Sequence, residues 1–260
     1  MSNLHDYQDK IVNSRGKVDS SIDEGLRSYM IGVYNLMSFG IFITAIVSFL
    51  TNNFATTLDP YYASATTMNG IMLTSFGSLI YFSPLKYVII FAPLVLLFFM
   101  QYRVQYLSLY ALRMIFFTFS ALFGLSLSSI FLVYTNQSIV QTLFITAAAF
   151  GSLSLYGYST KKDLGPMATF CVMGLFGVIL ASIVNLFIGS NVLDMSISLI
   201  SIIIFSGLTA YDTQKIKETY SDRYCADTLG RSSIFGALEL YIDFISIFTH
   251  LLRLTGSRKD

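Results

Sequence analysis

Charge is what this sequence is shortest of: Asp, Glu, Lys and Arg make up 12% of its 260 residues, against about a quarter in an ordinary soluble domain. The charges that remain nearly cancel, at a net +1, and this gives no electrostatic basis for a nucleic-acid partner. Cysteine is equally scarce. Of the two, Cys171 falls in an apolar run and Cys225 in a charged loop, so a stabilising disulfide is not expected and both read as free thiols. No H-E-x-x-H, G-x-S-x-G, P-loop or zinc-like cluster occurs, which leaves an enzyme without a constellation to work with and no cofactor to expect. The N-terminal "MSNLHDYQDKIVNSRGKVDSSIDEGLR" mixes both charge signs and lacks an apolar core, unlike a cleaved signal or a transit peptide. It reads as a polar cytosolic tail.

What is present is apolar length. Hydrophobic residues make up 54% of the chain and the mean hydropathy is +0.65. A membrane-crossing helix needs about 20 mostly apolar residues, and that window predicts seven spans at 29–51, 84–102, 108–134, 137–158, 166–189, 193–214 and 234–255. The expected fold is an all-α integral membrane protein, with a tail over 1–28, one membrane domain over 29–256 and a short C-terminal tail over 257–260. "NGIMLTSFGSLIYFSPL" is too short to cross and too apolar for a plain loop. It reads either as an interfacial segment or as the front of a tilted second span kinked near Pro84. The distribution of Lys and Arg predicts a cytosolic N-terminus. Lys86 alone falls in an outside loop, and Arg253, Arg258 and Lys259 are discordant unless the last segment is re-entrant. Small residues at 147–152, Gly124 with Ser128, and Gly174 with Gly177 mark close helix packing.

Three acids stand out because they fall within or beside the predicted spans: Asp212, Glu239 and Asp243. An ionised side chain at mid-bilayer costs at least ~2.5–3.5 kcal/mol, so such groups usually face the bundle interior and mark ion or proton pathways. Asp243 falls near half depth of the last span. Asp212 is a headgroup acid if the sixth helix ends at Lys215, and lies one turn inside if that helix continues through "TQKIKETY". Consecutive antiparallel spans place the two carboxylates where they can meet. So placed, they share a proton, and their oxygens also suit a calcium ion in transit. Glu239, Asp243 and His250 lie on one stripe and form a candidate proton relay, although Glu239 is also placed to reach water. Arg103 and Arg113 read as positive-inside anchors or, alternatively, as partners of a buried acid.

"LTAYDTQKIK" and "GALELYIDFISIFTHLLRLTG", with "GLSLSSIFLVYT" and "SLYGYSTKKDL", resemble the transmembrane Bax-inhibitor-motif family in its bacterial branch. The resemblance implies two three-helix layers around a central C-terminal helix, and a pH-sensitive calcium leak in a bacterial cytoplasmic membrane. It places the proton-sensing pair on Asp212 and Asp243 and a latch arginine on Arg103. Glu239 and His250 depart from the family pattern as extra titratable groups. An alternative activity is that of an interaction protein that modulates other membrane machinery, such as a quality-control protease. The partners expected are lipid, calcium, protons and possible membrane-protein clients.

Overall fold

The computed structural model describes the backbone of residues 2–67, 70–104, 106–221 and 224–259, and side chains from residue 24 onward. Long helices dominate because a chain in hydrocarbon must satisfy every backbone N–H and C=O within itself. They are α1 (Ser2–Ala55), α3 (Leu85–Arg103), α4 (Leu109–Leu127), α6 (Asn136–Ser159), α7 (Gly165–Ile188), α8 (Asn191–Thr219) and α9 (Ala226–Thr255), with short helices α2 (Ser75–Tyr81) and α5 (Ile130–Val133) between them. Seven helical segments are long and apolar enough to cross a membrane, and each coincides with a predicted span. The backbone of the N-terminal tail continues α1 from Ser2; its side chains through residue 23 lie outside those described.

Hydroxyls open the helices where the sequence turns from polar to apolar. Ser108, Thr135 and Ser190 each accept a hydrogen bond from a backbone N–H three residues on, at the starts of α4, α6 and α8, satisfying a donor the helix itself cannot. At its other end α7 stops on Gly189, whose φ of 67° is left-handed. The ambiguous segment before the second span is separate from that span and forms its own small sheet and short helix. Strands β1 (Thr56–Thr57), β2 (Ala65–Thr66) and β3 (Met72–Leu73) form a small antiparallel sheet in the order β1-β3-β2. Thr74 caps α2 after it, and the chain turns at Ser83–Pro84 before α3.

Helix α9 runs through the middle of the bundle. It packs against α1 and α4 on one side and α6 and α8 on the other, while α3 leans on α4 and α7 on α8. This is the arrangement of two three-helix groups about a C-terminal helix. Burial follows the layering, since most of α9's apolar window is buried, whereas α3 and α7 expose Phe91, Phe98, Phe170 and Phe176 as a lipid-facing rim. Inside, Tyr241 is fully buried with Phe116, Phe119 and Phe123 edge-on around its ring. Its hydroxyl is hydrogen-bonded to that of Thr44, 2.6 Å away. A buried Tyr needs such a partner, and Thr44 in turn donates to the carbonyls of Gly40 and Ser120.

The last helix runs unbroken from Ala226 to Thr255, long and apolar enough to cross. Pairs at both of its ends tie it antiparallel to α8: Lys215–Glu239 at 2.8 Å on the N-terminal side and Asp194–Arg253 at 2.9 Å on the opposite side. Two of the three discordant cations have partners there, Arg253 on Asp194 and the Lys259 ammonium donating to the Phe131 carbonyl, while the backbone of Arg258 pairs with that of Tyr134.

Candidate functional site: an acid pair on the seam of α8 and α9

Asp212 lies on α8 and Asp243 on α9, and the two carboxyls stand within hydrogen-bonding reach of each other. Helix α8 does not stop at Lys215 but continues to Thr219, so Asp212 sits inside the helix, partly covered. Asp243 is only 3% exposed. Two ionised carboxylates repel and neither can donate, whereas one shared proton turns the contact into an O–H···O bond. The Thr209 hydroxyl, one turn from Asp212, also reaches Asp243. Asp243 Oδ2 is buried without a partner, which leaves acceptor capacity at the centre of the bundle.

The remaining sequence candidates divide. Glu239 is half-exposed and ion-paired with Lys215, one turn beyond the acid pair toward the N-terminal side, so its carboxylate is engaged and separate from His250. His250 stacks on Phe205 with centroids 6.4 Å apart, and its Nδ1 is buried with no partner. Arg103 does not reach the pair. It ends α3, is exposed, and lies 6.0 Å from the ring centroids of Tyr102 and Tyr106. The physical reason is the layering: α3 packs on α4, on the far side of the bundle from α8. Arg113 is exposed as well. The cation beside the acids is Lys215, supplied by α8 itself. Among the described residues no cluster of three or more His, Cys, Asp or Glu could hold a metal ion.

Several site residues escape a reading of the sequence. Lys215 enters it only as a possible end of the sixth helix, and Asp194, the partner of Arg253, is not singled out. The hydroxyl chain is harder to foresee. Tyr34 of α1 is hydrogen-bonded to Ser154 of α6 at 2.6 Å, and Ser154 to Thr213 of α8 at 2.9 Å. Gln214 accepts from the Leu164 N–H and donates to the Lys162 carbonyl, fixing the loop before α7. The one signal available was a recurrence of Ser and Thr along α6 and α8, which in a membrane helix reads first as packing.

Comparison with known proteins agrees with this architecture. A family model described as "Inhibitor of apoptosis-promoting Bax1" matches residues 26–260. An uncharacterized protein of Rickettsia prowazekii is 41% identical over 245 residues, covering 93% of this chain and 94% of its own. The inner membrane protein YbhL of Escherichia coli is 40% identical over 237 residues, covering 90% and 94%. Seven apolar crossings, a central C-terminal helix and a match over nine-tenths of each chain thus lead to one conclusion: the chain belongs to the Bax inhibitor-1-like family of integral membrane proteins.

Proposed function

We propose that the protein is a proton-gated, calcium-permeable leak of a bacterial cytoplasmic membrane, with Asp212 and Asp243 as its sensor. The observation that carries this reading is a pair of carboxyls from two different crossings, facing one another inside an apolar bundle. With one proton between them, the pair fastens α8 to α9. Without it, like charges press the two helices apart, or a cation is drawn between them. Calcium takes six to eight oxygens, and two carboxylates with the Thr209 hydroxyl supply only part of that shell. The ion is therefore cargo held in passing. Lys215 and Glu239 stand one turn toward the N-terminal side and keep that mouth occupied by a neutralised pair. Nothing in this scheme needs a nucleotide or a second, driving ion.

The test is calcium flux in protein-only liposomes as a function of pH. Asp212→Asn and Asp243→Asn each remove the shared proton site while keeping shape, so each should flatten the pH response, and the double variant should be no flatter than the singles. A pH response that survives intact in both single variants would rule out the pair as sensor.

A further inference from the structure

A cavity leads toward the acid pair from the side of the membrane domain opposite the N-terminus, and another, lined by Tyr34 and Ser154, lies on the N-terminal side. Between α7, α8 and α9, on the side opposite the N-terminus, lies a space of about 690 Å³ lined by Ser182, Asn185, Asp194, Ser246, His250 and Arg253 among apolar neighbours. Its rim is the Asp194–Arg253 ion pair, with both side chains partly exposed. Its floor is Ser246, three residues from Asp243 on the same helix, a rise of about 4.5 Å. His250 stands between rim and floor.

The polar atoms left free inside the bundle follow the same line. Buried side-chain atoms with no partner include Ser201 Oγ on α8, and His250 Nδ1 and Asp243 Oδ2 on α9. Thr146 Oγ1 of α6, which packs on both, is a further one. A buried polar atom without a partner is destabilising, and these four sit on three helices, α6, α8 and α9, that pack on one another. On the N-terminal side of the pair Thr213 and Ser154 bond each other and Lys215 holds Glu239, with Tyr29 Oη the unpartnered buried atom there.

Resting on the reading of Asp212 and Asp243 as a sensor, we propose that the pair exchanges its protons with the side opposite the N-terminus, through this cavity, with His250 and Ser246 as the relay. On the positive-inside reading that side is the external one, so the leak reads external rather than cytosolic pH. A neutral imidazole accepts a proton at one ring nitrogen and releases one from the other. One proton thus moves inward while His250 returns to its starting charge. The charged groups facing it are Arg253 on its own helix and Asp194 on α8. Their mutual pairing leaves His250 close to a neutral couple. Ser182 and Asn185 face it from α7. Tyr134 packs nearby against Phe248 and Leu252, and the facing lengths of α1, α4 and α6 carry no titratable side chain.

The experiment uses the full chain in a background of Cys171→Ala and Cys225→Ser, carrying Ser246→Cys, in oriented liposomes. A membrane-impermeant thiol reagent added on the C-terminal side should modify the new thiol, and the same reagent on the N-terminal side should not. In parallel, calcium flux is followed while pH is changed on one side at a time. Wild type should respond to the C-terminal side, and His250→Gln should lose that response while retaining basal flux. Labelling confined to the N-terminal side, or a His250→Gln variant with an unaltered one-sided response, overturns the route. A wild-type protein that carries no calcium refutes the leak itself, and the labelling arm then decides by itself whether the route exists.

Discussion

The residues that matter most here are ordinary ones whose neighbours give them a role. Lys215 is a helix-terminal lysine of a common kind, yet its position one turn from Asp212 and across from Glu239 makes it the cation of the site, while Arg103 spends its charge on two tyrosine rings in water. Exposed ion pairs contribute roughly 0–1 kcal/mol, so Lys215–Glu239 contributes chiefly to the local field. Cys225 shows the same dependence on one neighbour. It is exposed just before α9, and the Thr228 hydroxyl 3.1 Å from its sulfur holds its thiol below the usual value. Because the thiolate is the nucleophile, alkylation of Cys225 should rise at lower pH than that of a free cysteine. Thr228→Val should move the profile back upward, and an unmoved profile would deny the hydroxyl that role. Cys171 is buried and should stay unmodified until the bundle unfolds.

At the scale of helices, close approach is concentrated at a few glycines. A Cβ on Gly157 of α6 would lie 2.1 Å from the Ala210 carbonyl oxygen of α8, whereas one on Gly151 of the same helix would meet nothing within 4 Å. Gly157→Ala should therefore push α6 away from α8 and strain the Ser154–Thr213 hydrogen bond nearby, destabilising by on the order of 1–3 kcal/mol. Gly151→Ala should be neutral or stabilising by about 0.5–1 kcal/mol through helix propensity. Thermal unfolding of the two variants in detergent makes the comparison, and equal melting temperatures would contradict the packing described. The small-residue runs in the sequence were thus only partly a guide. Gly124 does abut the Thr44 carbonyl and Gly174 the Ile204 side chain. Gly177 and Gly151, by contrast, face open space, and Ala147 and Ala148 are exposed.

For the molecule as a whole, the seven crossings separate the two ends of α9 by the thickness of the membrane. Cys225 marks the N-terminal side. The C-terminal tail marks the other, stitched to α5 and α6 by the Lys259 N–H on the Val133 carbonyl and the Ser257 N–H on the Ser138 hydroxyl. An impermeant maleimide applied to intact cells and to inverted vesicles should label native Cys225 and an Arg258→Cys thiol from opposite faces; labelling from the same face would mean a re-entrant last segment. The spans themselves were plain from composition, because hydrocarbon admits little besides long apolar helices. So were the two aspartates, because charge is so sparse there that each one shows. What a linear pattern fixes is which residues share a face of one helix. It leaves open how that helix is rotated and tilted against its neighbours, and this depends on side-chain packing across the bundle. Hence the sequence determined the crossings and nominated Asp212 and Asp243, while the tertiary structure decided that they face each other, that Lys215 and not Arg103 stands beside them, and that a cavity on the far side reaches Ser246.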